Sequence, residues 1–405
     1  MLQKLMELVI MICSDVNIYN YDTPEGDHVL LGNEAMVEGA LAAGCRFFAG
    51  YPITPQNDVP EMMSRRLPRL GGNFIQMEDE IANISAVIGA SFAGLKSMTS
   101  SSGPGISLMQ ETISWAAMIE IPIVICNVQR TGPGSGVVSR PHQSDIIQAQ
   151  YGGNGEYKVI AYAPASCQEL FDFTFEAFND AERWRVPVFV FSDAWLGHVR
   201  EKVTIPSRAE ILETIIPRKV MPDDINSWIP FSQKLGTEIK VPDAVPTFGQ
   251  ESFPDWLPSV TRTATSIATE RAEDSYEMIE AINDKILKNE DKICKTKSYF
   301  LDDADIAVVT YGFPSRPALT AVLEARKQGI KVGLLRLLTV WPFPTKEIKQ
   351  LSESVKKIID VEMNWGQLLV WIQANASDGT SVEFVPEISK LHEPKQILNK
   401  IKEVI

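Results

Sequence analysis

Three loops in this 405-residue sequence hold polar side chains on a backbone stiffened or freed by proline and glycine, and each could do chemistry. In Gly50-Tyr51-Pro52-Ile53-Thr54-Pro55, two prolines restrict the chain around a single threonine hydroxyl. A fixed hydroxyl with a neighbouring N–H can grip a carboxylate; the same residues also make an ordinary rigid turn before a helix. In Gln76-Met77-Glu78-Asp79-Glu80-Ile81-Ala82-Asn83, three acids open a helix that is otherwise small and apolar. Acids in a first helical turn offset the macrodipole, which accounts for Glu78 and Asp79. Glu80 differs, because at a spacing of three to four it heads the face Asn83, Ile84, Val87 and Ile88, the side predicted to be buried. A carboxylate placed there needs a partner. It is either an acid/base group or half of a structural salt bridge.

The third feature is a pair of glycine-rich loops, Ser100-Ser101-Ser102-Gly103-Pro104-Gly105 and Arg130-Thr131-Gly132-Pro133-Gly134-Ser135-Gly136. Both follow apolar strands and the first opens a helix, so backbone N–H groups could meet an anion there. Neither has the dinucleotide fingerprint or its following acidic residue, which leaves a nicotinamide-dependent dehydrogenase resting on one imperfect loop. Arg130 could fork onto a substrate carboxylate or make a surface ion pair.

The elements that must position these loops follow one pattern from Gly32 to about Val199: an apolar run, a Gly/Pro/Ser loop, then a helix-period segment. That is the pattern of a doubly wound parallel α/β sheet. Strands are predicted at 47–49, 74–77, 96–99, 121–128, 159–161 and 186–192, and helices at 33–43, 78–92, 106–118 and 167–179. Eight prolines between Pro206 and Pro258 mark an irregular connecting arm, and a single helix at 272–287 follows. The pattern restarts at Ile306 in a second, smaller α/β domain. The expected organisation is an N-terminal extension 1–31, a doubly wound domain 32–205, the arm and helix 206–300, and the smaller domain 301–405.

Composition excludes several classes. Asp and Glu number 52 against 38 Lys and Arg, and the net charge of −14 repels phosphate backbones, so no nucleic acid and no anionic membrane is expected as a partner. The apolar stretch Leu8–Cys13 is far shorter than the ~20 residues of a membrane span and no cleavage pattern follows it, so the expected location is the cytoplasm. Five cysteines with no CxxC pair argue against a cluster or zinc held by this chain alone, and no metal ligand is assigned.

Taken together, and in order along the chain, these motifs resemble the alpha subunit of the 2-oxoacid:ferredoxin oxidoreductases, in particular the 2-oxoglutarate and branched-chain members. The shared motifs are Gly32–Ala35, Tyr51–Pro55, Glu78–Ala82, Ser101–Gly105, Val340-Trp341-Pro342-Phe343-Pro344 and Glu362–Gln367. The resemblance implies a thiamine-diphosphate pyrimidine-binding domain followed by a transketolase C-terminal-like domain. It gives Glu80 the catalytic role, driving the cofactor's aminopyrimidine to its imino tautomer, and Thr54 and Arg130 the grip on the substrate carboxylate. Tyr51, Pro52, Ile53, Ser102, Gly103 and Asp145 would line the cofactor site. Further implied are a beta subunit sharing the cofactor and bringing Mg2+ and 4Fe–4S clusters, gamma and delta subunits beside it, and coenzyme A, a 2-oxoacid and ferredoxin as reactants. The absence of a Gly-Asp-Gly motif fits that division of labour. The loop Thr131–Gly136 departs from the 2-oxoglutarate pattern, Arg140–Asp145 has branched-chain features, and Phe248–Ala264 lacks an expected His-Val-Thr-Gly. The expected substrate is 2-oxoglutarate, with a branched-chain or aryl 2-oxoacid as the alternative. A non-catalytic assembly subunit is the alternative of another class.

Overall fold

The computed structural model describes residues 21–249 and 258–405. The stretch Leu8–Cys13 lies outside the described residues, as do residues 250–257 of the stretch Phe248–Ala264. The first domain runs through β1 (Gly26–Leu31), α1 (Gly32–Ala42), β2 (Cys45–Gly50), α2 (Asp58–Arg66), β3 (Asn73–Gln76), α3 (Glu80–Phe92), β4 (Lys96–Ser101), α4 (Gly103–Met118) and β5 (Ile123–Gln129). It continues through α5 (Ile146–Tyr151), β6 (Ile160–Tyr162), α6 (Cys167–Trp184), β7 (Pro187–Asp193) and β8 (Arg200–Ile205). Residues 26–31, placed by sequence in the N-terminal extension, pair antiparallel with β8 as β1.

Strands β4, β5 and β7 are buried at every position. A parallel sheet covered by helices on both faces buries both sides of its strands, which is why β5 and β7 read as apolar runs rather than alternations, whereas β4 is buried with mostly polar side chains around Met98. In the large sheet the parallel strands run β6-β7-β5-β4-β2-β3. Because β3 lies on one side of β2 and β4 on the other, the chain reverses across the sheet between β2 and β4. The crevice outside the carboxyl ends of strands at such a reversal is where doubly wound folds bind ligands.

The arm comprises α7 (Arg208–Thr214), the hairpin β9 (Gln233–Leu235) and β10 (Glu238–Lys240), α8 (Ala272–Leu287) and α9 (Glu290–Ile293). It is fastened to the sheet domain by buried carboxylates, Glu182 of α6, which holds Arg218, and Glu120 at the end of α4. Glu120 accepts from Ser232 N at 2.8 Å, Arg262 Nη2 at 2.9 Å and Lys285 Nζ at 2.8 Å, and all three charged side chains are almost fully buried. Arg262 also stacks on the Phe231 ring, 3.4 Å from its centroid. Arg185 donates to the Glu120 carbonyl at 2.8 Å and to Ala244 O at 2.7 Å, carrying the tie into the arm. An irregular segment thus docks through charge, each cation donating to oxygen.

The second domain contains β11 (Thr296–Tyr299), β12 (Ile306–Tyr311), α10 (Ser315–Lys327), β13 (Val332–Leu337), β14 (Thr339–Trp341) and α11 (Thr345–Ser354). β15 (Lys357–Glu362), α12 (Leu369–Asn375), β16 (Ser381–Pro386) and α13 (Pro394–Glu403) complete it. Its sheet runs β11-β13-β12-β15-β16, parallel except for β11. Strand β14 leaves this domain and adds antiparallel to β6 at the edge of the large sheet, and Trp341 Nε1 donates to Ile146 O at 2.7 Å. The two domains are therefore joined by main-chain pairing as well as side chains. Among the described residues no helix is long and apolar enough to cross a membrane.

Replacing Glu120 with Gln leaves Arg262 and Lys285 buried without a counter-charge and should lower unfolding free energy by about 3–5 kcal/mol. Chemical denaturation measures this, and a change under about 1 kcal/mol would show that the cluster does not fasten the arm. Burial pushes the Glu120 carboxyl up, but Lys285, Arg262 and Arg185 outweigh it and bring it from 4.5 down to about 2. Because the folded value is the lower one, its contribution is fully present above pH 4.5 and is lost as pH falls toward 2. Acid titration of Glu120→Gln should accordingly lack that part of the wild-type loss.

Candidate active site

At the crevice, the three acids that open α3 separate into different roles. Asp79 is the N-cap, its carboxylate accepting from Ala82 N at 2.8 Å, and Glu78 is exposed. Glu80 is only 4% exposed, on the face it shares with Asn83, Ile84, Val87 and Ile88. Its partner is a hydroxyl rather than a cation: Ser101 Oγ, at the end of β4, donates to Oε1 at 3.0 Å. Gly105 makes this approach possible. A Cβ there would lie 2.0 Å from Ser101 Oγ and 2.2 Å from Glu80 Oε1, so only glycine lets the first turn of α4 close over the carboxylate.

Arg130 follows β5 and is 5% exposed, which removes the surface-ion-pair alternative. Its Nη1 donates to Thr54 O at 2.6 Å, tying the loop after β2 to the loop after β5. The contact uses the threonine carbonyl and leaves the hydroxyl out of it. Burial pulls the guanidinium below its usual range, and Asp145 and Glu80 oppose that pull, so both acids lie within its electrostatic reach. Burial raises the Asp145 carboxyl in turn, and hydrogen bonds from Asn127 Nδ2 (3.0 Å) and Ser144 Oγ (3.3 Å) hold its oxygens.

A cavity of about 670 Å³ opens here, and Gly103, Arg130 and Asp145 line it together with Thr131, His142 and Ile388. Ile388 comes from the loop after β16, so the second domain supplies part of the wall. Pro52 instead faces a separate cavity of about 240 Å³ beside β3. Tyr51 is exposed, and Ile53 and Thr54 are half-buried. Ser102 is fully buried and its hydroxyl has no partner. Sequence reasoning missed Ser101 as the partner of Glu80, since three consecutive serines do not reveal which one faces the acid. It also gave His142 no role.

The second glycine loop closes on itself rather than opening to an anion. Val137 N donates to Thr131 O at 3.0 Å and Thr131 N to Arg140 O at 3.1 Å. With φ of +57° and its Cβ position 1.5 Å from Thr131 O, Gly136 is required by the turn. The closed loop sets Arg130 at one of its ends and Arg140–Asp145 at the other.

The residues at the root of α4 fit one end of a thiamine cofactor. A dry carboxylate, an unpaired Ser102 hydroxyl and an Asn83 side chain whose amide oxygen and nitrogen are both buried and unpaired offer the donors and acceptors an aminopyrimidine requires. Orphaned buried polar atoms of this kind call for a ligand or ordered water.

The comparisons with known proteins agree with that chemistry. The family described as pyruvate flavodoxin/ferredoxin oxidoreductase, thiamine diphosphate-binding, matches residues 38–281, and the pyruvate:ferredoxin oxidoreductase core domain II matches residues 304–397. The 2-oxoglutarate synthase subunit KorA of Methanothermobacter marburgensis is 44% identical over 385 residues, covering 93% of this chain and 98% of that protein. The ketoisovalerate oxidoreductase subunit VorB of Methanothermobacter thermautotrophicus is 38% identical over 92% of this chain and 96% of its own length. The solved 2-oxoglutarate:ferredoxin oxidoreductase from Magnetococcus marinus, with 2-oxoglutarate, coenzyme A and succinyl-CoA bound, superposes with a TM-score of 0.85 at 28% identity, over 94% of this chain. The present chain spans 65% of that solved chain. A split-gene transketolase at 10% identity and TM-score 0.52 shares the fold alone. By its two matched domains and its near full-length relatives, the chain belongs to the alpha-subunit family of the 2-oxoacid:ferredoxin oxidoreductases.

Proposed function

We propose that this chain is the alpha subunit of a thiamine-diphosphate-dependent 2-oxoglutarate:ferredoxin oxidoreductase. The reaction takes 2-oxoglutarate, coenzyme A and oxidised ferredoxin to succinyl-CoA, CO2 and reduced ferredoxin. The observation that carries the reading is a buried carboxylate, Glu80, backed by a hydroxyl and within electrostatic reach of a buried Arg130. Relatives named for 2-oxoglutarate reach 44% identity against 38% for those named for ketoisovalerate, which favours the five-carbon diacid.

In this reading residues 32–205 hold the pyrimidine end of the cofactor, residues 206–300 form the connecting arm, and residues 301–405 close the substrate side. When bound, thiamine diphosphate supplies the nucleophilic carbon and the electron sink. Glu80 would hydrogen-bond the pyrimidine, and Ser101 fixes that carboxyl's orientation. Gly103 and Asp145 would give the ring its polar wall, with Tyr51, Ile53 and Ser102 completing the surround, while Pro52 lies on the separate cavity beside β3. Arg130 and the Thr54 hydroxyl grip the substrate's first carboxylate, and the Arg130–Thr54 carbonyl bond presets the pair. A beta subunit brings the Mg2+ and diphosphate ligands and the 4Fe–4S clusters, with gamma and delta subunits as further electron-transfer partners. The missing Gly-Asp-Gly motif and the absence of CxxC pairs support that division.

In the assembled complex, Glu80→Gln should preserve assembly and lower kcat by about 100- to 10,000-fold, the usual worth of a positioned acid/base group. Wild-type turnover in the loaded complex would take Glu80 out of the mechanism, and a wild-type complex inactive across a panel of 2-oxoacids would favour the assembly-subunit alternative. Thr54→Val keeps the carbonyl that Arg130 uses and removes only the hydroxyl. It should raise KM for 2-oxoglutarate about fivefold at nearly constant kcat; unchanged kinetics would reduce Thr54 to a turn residue.

A further inference from the structure

His142 lines the cavity with Arg130 and Asp145, yet the reading above gives it no task. Its main chain is held on both sides. Thr131 Oγ1 donates to Pro141 O at 3.4 Å, Gln143 N donates to Met363 O at 2.9 Å, and Asn364 Nδ2 donates to Gln143 O at 3.0 Å. The imidazole is therefore preset rather than free to wander, and the second domain does much of the setting.

The ring is 6% exposed, and its Nδ1 is fully buried with no hydrogen-bond partner. Burial holds it below the usual imidazole range, so it is neutral at pH 7. A neutral imidazole carries its proton on one nitrogen and a lone pair on the other. A dry N–H with no acceptor is the rarer and costlier arrangement, so the bare lone pair belongs on Nδ1. That leaves the N–H on Nε2, which takes no hydrogen bond from the described residues. The neighbouring Asp145 accepts from Asn127 and Ser144 instead. Pro133 and Ile388 supply apolar wall in the same cavity.

The cavity thus offers a cation, an apolar stretch and, in His142, a preset neutral donor. A 2-oxoacid with its first carboxylate on Arg130 meets Pro133 and Ile388 with its methylenes and His142 with its far end. An alkyl tail would leave the Nε2–H unpaired in a site emptied of water; a terminal carboxylate accepts from it. We propose that His142 is a specificity-determining residue whose Nε2–H donates to the terminal carboxylate of the substrate, selecting dicarboxylic over alkyl-tailed 2-oxoacids. The inference rests on the function proposed above and deepens it.

The test uses the complete complex carrying His142→Leu or His142→Gln, assayed by viologen reduction with 2-oxoglutarate and with 2-oxobutyrate. His142→Leu should lower kcat/KM for 2-oxoglutarate about 10- to 100-fold, chiefly through KM, and change 2-oxobutyrate by less than about twofold. His142→Gln, which keeps an N–H donor, should recover most of the loss and confirms that the loop still folds. An unchanged substrate ratio in His142→Leu overturns the proposal, and so does an equal fall for both acids, which is the mark of a purely structural role. A wild-type complex that reduces no viologen with either acid overturns the underlying function as well, so the two failures are told apart by the wild-type control.

Discussion

The Glu362 carboxylate, with no exposed surface, is the group on which the junction of the two domains depends. It accepts from Leu368 N at 3.0 Å, Leu369 N at 2.8 Å, Tyr311 OH at 2.9 Å and Asn364 Nδ2 at 2.8 Å. Held in this way, Asn364 reaches across the seam to Gln143 O, and Met363 N donates to Gln143 Oε1 at 3.2 Å. Two residues back along β15, Asp360 is also fully buried. Burial, and then the charge of Glu362, raise it far above the carboxylate range, so it stays neutral. Through Met363 and Asn364 this hydrogen-bond network holds the loop Arg140–Asp145, which lines the cavity.

The same economy of charge recurs elsewhere. Glu120 and Glu362 are each buried beneath a full set of donors, and each organises a segment without regular structure of its own. Glu80 is the exception, since a single hydroxyl is the hydrogen-bond donor shown for it. Around it Asn83 and Ser102 keep buried polar atoms unpaired. Glu120 and Glu362 are saturated and Glu80 is not, which is the difference expected between a group that holds the fold and one reserved for a ligand.

Much of this was legible in the sequence for physical reasons. Strands buried on both faces can announce themselves as apolar runs, so β5 and β7 were readable to within two residues. The helical spacing of Glu80 with Asn83, Ile84, Val87 and Ile88 revealed its burial without any structure. What stayed hidden depends on tertiary contact. Thr339–Trp341 is too short for a strand signal and becomes β14 only against β6. Residues 26–31 look like an appendage until β8 is beside them. The glycines of 131–136 are equally suited to cradling an anion or turning the chain, and only the Thr131–Val137 pairing decides. His142 carries no periodic signal; its significance lies in an unpaired nitrogen beside Arg130, a fact of three dimensions.

Strand β14 has a consequence for how the molecule is made. Its contacts link Trp341 to Ile146 across 195 positions of sequence. During synthesis the first domain can assemble most of its sheet, but the outer edge of β6 has no partner until residue 341 has emerged. An open edge is a template for another chain, and closure over so long a span is slow. The nascent subunit therefore passes through a stage in which its binding crevice is nearly built while its flank is adhesive. Assembly in the cell must wait on, or protect, the last quarter of the chain.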